Sequence, residues 1–169
     1  MISLAAIALL VGFAVPASAK VSYAPPEVKY VSDVVVSPNG ADAYVVALYR
    51  CYGGSAGTHV WVSVKQGPLI NTTDHTTSAD AVSWYDTNWM FATSDTGLLA
   101  NCNGKWQIAK IDMKPETFFT TGQVSPPLKS GKGLVQFCLF DSTAPPGDEN
   151  PSQGFAFSYT MKHIFALGK

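Results

Sequence analysis

The sequence predicts an all-β domain built as an antiparallel β-sandwich in preference to a barrel, and three observations carry that reading. Short runs of alternating apolar and polar residues recur along the chain, which is the period of two that a half-buried strand requires. No stretch sustains the period of an amphipathic helix. The runs are separated by Gly, Pro, Asn and Ser clusters and by long polar connections, and about seven to nine strands joined in that way favour two packed sheets.

Residues 1–19, MISLAAIALLVGFAVPASA, form an apolar run ending in Ala17-Ser18-Ala19, the small-residue pattern of a signal-peptide cleavage site. The run lacks the usual basic start. Pro16 and small residues stand where a stop-transfer flank would carry charge, so no membrane insertion is expected after cleavage. Residues 20–169 then form a single secreted, extracellular domain, long enough to bury about two thirds of the unfolded chain's surface.

The β-branched run Val28 to Val36 reads as the first strand material and is closed by the turn residues Ser37-Pro38-Asn39-Gly40. Ala43 to Gln66 reads as a central β-hairpin with its loop near Ser55 and Ala56. That register sets Cys51 opposite Val60, Tyr49 opposite Val62 and Ala47 opposite Val64, with the valines on the core face and Arg50 facing Trp61 on the other. The Thr-rich stretch after Gln66 reads as a surface connection with a short edge strand at Leu69 and Ile70. Within it, Asn71-Thr72-Thr73 is a glycosylation sequon that matters only in a eukaryotic host.

Ala81 to Thr93 holds two aromatic clusters around Asp86-Thr87-Asn88 and reads either as a tight hairpin or as one bulged strand. Leu98 to Cys102 and Lys105 to Ile111 flank Asn103-Gly104, a type I′ turn signal that sets Leu99 beside Ile108 and Asn101 beside Trp106. After Met113 a Pro-containing stretch (Pro115, Pro126, Pro127) reads as a long crossover. Gly133 to Asp141, apolar on both faces, reads as a central strand. In the last strand Phe155, Phe157, Tyr159 and Met161 alternate with Ala156, Ser158, Thr160 and Lys162.

Three cysteines behind a signal peptide imply one disulfide and one remaining thiol. Tyr49-Arg50-Cys51, the valine strand Val60 to Lys65, Cys102-x-Gly104-x-Trp106 and the Gly-rich lead into Gly133 to Leu139 resemble a set of small secreted actinobacterial proteins with an immunoglobulin-like domain and no assigned function. The likeness spans most of the mature chain; the aromatic stretch Trp84 to Phe91 departs from the pattern. It implies an immunoglobulin-like sandwich, an extracellular location and a Cys51–Cys102 disulfide that leaves Cys138 as the free thiol. Strand position agrees with that pairing. Cys51 and Cys102 both precede Gly-containing loops, whereas Cys138 sits mid-strand between Phe137 and Leu139.

The chain carries eleven basic and twelve acidic residues, and only one of the basic ones is an arginine. Scattered lysines make neither a nucleic-acid groove nor an anionic-membrane patch. Catalytic signatures such as GxSxG, HExxH, SxxK and a P-loop are missing, and no cofactor or metal is expected. His59, His75 and His163 are isolated. Asp74-His75 with Asp80 is the one carboxylate/His set suited to a small secreted hydrolase, and Asp148-Glu149-Asn150 with Asp141 offers oxygen ligands without the spacing of a calcium loop. Trp61, Trp84, Tyr85 and Trp89 are the candidate ligand-binding residues, with Trp106 in the same aromatic group, because flat aromatics on a sheet stack on sugars or anchor proteins. The expected function is a non-enzymatic binding module for a protein or glycan partner. The alternatives are a tryptophan-based carbohydrate binder and that hydrolase.

Overall fold

A computed structural model describes residues 24–54, 58–72, 80–87, 100–118, 120–144 and 152–167. They contain no α-helix and eight strands: β1 (Glu27–Val31), β2 (Val34–Val36), β3 (Ala43–Arg50), β4 (His59–Gln66), β5 (Ser83–Asp86), β6 (Gln107–Pro115), β7 (Gly131–Phe140) and β8 (Phe155–Ala166). The all-β class is as expected. The strands form one sheet in the order β1-β3-β2-β8-β7-β4-β5-β6, and a further β3–β6 pairing closes it into a barrel. One pair, β2–β8, is parallel, so the strands form a closed mixed barrel where an antiparallel sandwich was expected.

The parallel pair follows from a break in the first strand run. Val46 N–H donates to Ser32 Oγ and Ser32 N–H donates to the Val46 carbonyl, both at 2.8 Å. Asp33 Oδ1 accepts the His163 amide at 2.9 Å. Past the Ser32-Asp33 step the chain stays on the edge of β3 as β2, whose other edge takes β8. Beyond β2, Gly40 closes the expected turn at φ 67°, donating to the Ser37 carbonyl at 2.9 Å.

The central hairpin is corrected. β3 and β4 lie where the sequence places them, but they do not pair with each other. One edge of β3 takes β1 and β2 and the other takes β6, while β4 lies between β5 and β7. Ala47, Tyr49 and Cys51 and the valines Val60, Val62 and Val64 are all buried in one core. Two strands that face each other across a core bury the same alternate residues as two strands that pair, so alternation finds the faces and leaves the partner open.

Two smaller expectations also change. Leu69 and Ile70 form no strand; Pro68 and Leu69 make a turn closed by the Ile70 amide donating to the Gly67 carbonyl, with Ile70 buried and Leu69 exposed. Within Ala81 to Thr93, Ser83–Asp86 forms a strand, and residues 88–93, on which the choice between a hairpin and one bulged strand rests, lie outside the described residues. Asn103-Gly104 turns the chain, with Gly104 at φ 77° and Asn103 Oδ1 accepting the Lys105 amide at 3.0 Å. Of the expected strand before it, Leu98 and Leu99 lie outside the described residues, and Ala100 to Cys102 join no hairpin with β6. Instead Cys102 forms an antiparallel bridge with Gly54, at 2.9 and 3.1 Å, and Gly104 N–H donates to the Cys51 carbonyl at 2.8 Å. Beside that bridge lies the Cys51–Cys102 disulfide, with a Cα–Cα distance of 4.4 Å.

β7 is the expected central strand, paired along its length with β4 and β8 and buried on both faces. β8 inverts what its composition suggests. Ala156, Ile164 and Ala166 pack on the core, whereas Met161 and Phe165 of the alternate set are exposed.

Candidate functional site

The barrel has two outward sheet faces that matter here. The first covers β5, β4, β7 and β8. Register places Trp61 beside Cys138 and Phe157, and Trp84 beside Lys65 and Leu134. Here the expected platform loses its shape. Trp84 is only 8% exposed and Trp61 is half-buried. Tyr85 is corrected outright: it points into the barrel, fully buried, and its hydroxyl donates to the Gly40 carbonyl. Alternation separates it from Trp84, since neighbours on a strand face opposite ways. Trp89 lies outside the described residues, as do Asp74, His75 and Asp148 to Asn150.

This first face is a buried layer with polar groups in it. Ser63 Oγ donates to Gln136 Oε1 at 3.1 Å, and Lys65, 5% exposed, holds its Nζ 5.1 Å from the Trp84 ring centre. Burial lowers the Lys65 pKa, with Asp86 and Cys138 opposing the shift. Cys138 is the free, buried thiol. Burial pushes its pKa up to about 12, while its 3.7 Å contact with the Tyr159 hydroxyl and the nearby Lys65 pull the other way. A thiol so held is not a nucleophile at neutral pH. His59 stacks on Phe140 at 4.5 Å.

The second face covers β1, β3 and β6, and it is open. β3 turns Tyr44, Val46, Leu48 and Arg50 outward because their alternates Ala43, Val45, Ala47 and Tyr49 fill the core. β6 presents Ile108, Lys110, Asp112 and Lys114 in the same way. Register aligns Leu48 with both Tyr30 and Ile108, so three apolar side chains lie in one row across three strands. Tyr30 is 54% exposed and Ile108 76%. Trp106, just ahead of β6, is 41% exposed.

Every aromatic ring on this face carries a cation. Arg50 lies 4.8 Å from the Trp106 ring centre and 5.7 Å from that of Tyr52. Lys29 stands 5.7 Å from Trp106, Lys110 4.5 Å from Tyr44 and Lys162 5.5 Å from Tyr30. A register shift between Val28 and Tyr30 accounts for the position of Lys29, since a bulge of this kind re-aims a side chain without ending the strand. Arg50 also pairs with Glu27, which raises the guanidinium pKa chiefly through that hydrogen bond.

Arg50 therefore faces Trp106, not Trp61 as the hairpin required. The sequence reading placed no binding role on Tyr30, Leu48 or Ile108. A signal was there for Ile108, because it alternates with Ala109, Ile111 and Met113 and so shares its face with Lys110, Asp112 and Lys114. Among the described residues no group of three or more His, Cys, Asp or Glu side chains is arranged to hold a metal ion, and no helix is long and apolar enough to cross a membrane. Comparison with family models, curated proteins and solved structures finds no match.

Proposed function

We propose that the protein is a secreted, non-enzymatic binding module with an immunoglobulin-like core, docking through the outward face of β1, β3 and β6. The observation that carries the reading is the apolar row in which exposed Tyr30 and Ile108 flank the half-buried Leu48, beside exposed Trp106. A soluble monomer rarely leaves a contiguous apolar patch on a regular sheet face without a use for it, and Trp, Tyr and Arg are the side chains that dominate binding surfaces. The disulfide and the apolar leader ending in Ala17-Ser18-Ala19 support export.

Strand neighbours support the immunoglobulin-like core. With β1, β3, β4, β5, β6, β7 and β8 taken as strands A to G, the pairs β1–β3, β3–β6 and β6–β5 reproduce one sheet of that sandwich. The pairs β4–β7 and β7–β8 reproduce the other. Two further contacts, β2–β8 and β4–β5, stitch the sheets into a barrel.

Titration of the isotope-labelled mature chain with soluble cell-envelope glycans and with peptides, watched by NMR, tests the reading. Binding should perturb Tyr30, Leu48, Trp106 and Ile108 together. Perturbations confined to Trp61, Trp84 and their neighbours would return the site to the first face. Turnover of an ester, peptide or glycan that is lost in His75→Ala would replace the module with a hydrolase.

A further inference from the structure

We propose that the partner of the β1, β3 and β6 face is an acidic polypeptide surface carrying an apolar anchor side chain, an inference that rests on the docking reading above. Five cations gather here, Lys29, Arg50, Lys110, Lys114 and Lys162, in a chain whose net charge is −1. Three carboxylates answer them, and each is taken: Glu27 by Arg50, Asp112 by Lys110 and Asp42 by Lys114. Lys29 and Lys162 make no ion pair among the described residues. Lys162 stands over Tyr30 at one end of the apolar row, and Lys29, next to Tyr30 on β1, stands over Trp106 just ahead of β6.

That arrangement selects among occupants. A second copy set face to face would oppose five cations and three carboxylates to the same set, which leaves like charges in contact. A neutral sugar needs an open ring face, and Lys29, Arg50, Lys110 and Lys162 already lie over the rings of Trp106, Tyr44 and Tyr30. Carboxylates need no ring face. They meet the ammonium groups of Lys29 and Lys162 while an aliphatic side chain packs on Leu48 and Ile108, which the register holds side by side. The partner so described matches the face in both charge and apolarity.

The test uses a synthetic peptide of about eight residues alternating Glu and Leu, its Lys/Leu counterpart, and polygalacturonate. Each is titrated into the labelled mature chain at about 20 and 200 mM salt. The acidic peptide should shift the Leu48 and Ile108 methyls and the Trp106 indole, and should bind roughly tenfold more tightly than the basic one and more weakly at high salt. Lys29→Glu with Lys162→Glu should weaken it roughly tenfold, and the Gln pair should weaken it less; a melting curve confirms that both variants fold. Equal affinity for the two peptides at this face would overturn the acidic partner and leave the docking surface standing. Tighter binding of polygalacturonate would replace the polypeptide with an anionic glycan. Shifts by no probe, or shifts elsewhere, would remove both.

Discussion

Gly53 and Gly54 share a left-handed backbone, at φ 87° and 85°, but not their surroundings. A Cβ on Gly53 would overlap Ser142 Oγ, whose hydroxyl donates to the Gly53 carbonyl at 3.0 Å, whereas a Cβ on Gly54 meets open space. Either substitution by Ala carries the backbone penalty of about 1 kcal/mol. Gly53→Ala should lose about 1–2 kcal/mol more in urea denaturation, and adding Ser142→Gly should close the gap. Equal losses in the two single variants would show that the overlap relaxes. Tyr85 makes a second residue-scale prediction, since its buried hydroxyl serves the Gly40 carbonyl. Tyr85→Phe should lower stability by about 1–2 kcal/mol, and an unchanged midpoint would place that hydroxyl in water. Residue types alone could not have separated Tyr85 from Trp84, because both suit a core and both suit a binding face. Only a fixed register decides which of two adjacent aromatics points inward.

Elements were more legible than their partners. The strands β3, β4, β7 and β8 fall where alternation predicts, and both disulfide cysteines could be chosen because each ends an apolar run beside a glycine-containing loop. The sequence placed β5 only within a longer aromatic stretch, and it set Asn103-Gly104 in a hairpin that the Cys102–Gly54 bridge pre-empts. Closing 51 residues of chain, the disulfide should stabilise the fold by on the order of 4 kcal/mol in the chain-entropy model. Replacing both cysteines by Ala should lower the unfolding free energy accordingly, and peptide mapping without reduction should link Cys51 to Cys102. A linked peptide containing Cys138 would contradict this. Cys138 sets a pH dependence of its own. The folded state holds the thiol proton more tightly than the unfolded state, whose value lies near 9.0. Its contribution is therefore complete below that pH and is lost as pH climbs toward the folded value of about 12. Between pH 8 and 10 the wild type should lose about 1 kcal/mol more than Cys138→Ala, and parallel losses would mean that the thiol is wet.

At the scale of the whole molecule everything turns on which strands lie beside β3. Long-range pairing is what a single sequence conveys least, because burying a face does not say whether the neighbouring apolar strand is beside it or across the core. The crossover from β6 to β7 is legible as a Pro-containing connection that does not name its destination, whereas the break at Ser32-Asp33 lies inside a β-branched run that reads as continuous. Placing β1 and β6 on the two edges of β3 creates the row Tyr30, Leu48 and Ile108 and gathers the cations around it. A β3–β4 hairpin would scatter that row. Methyl and backbone NOE measurements on residues 20–169 address the difference directly. The structure predicts cross-strand backbone contacts from Ala47 to Ala109 and from Val45 to Ile111, with a Leu48–Ile108 methyl contact on the outer face; backbone contacts joining Tyr49 to Val62 and Ala47 to Val64 would instead restore the hairpin and dissolve the proposed docking surface.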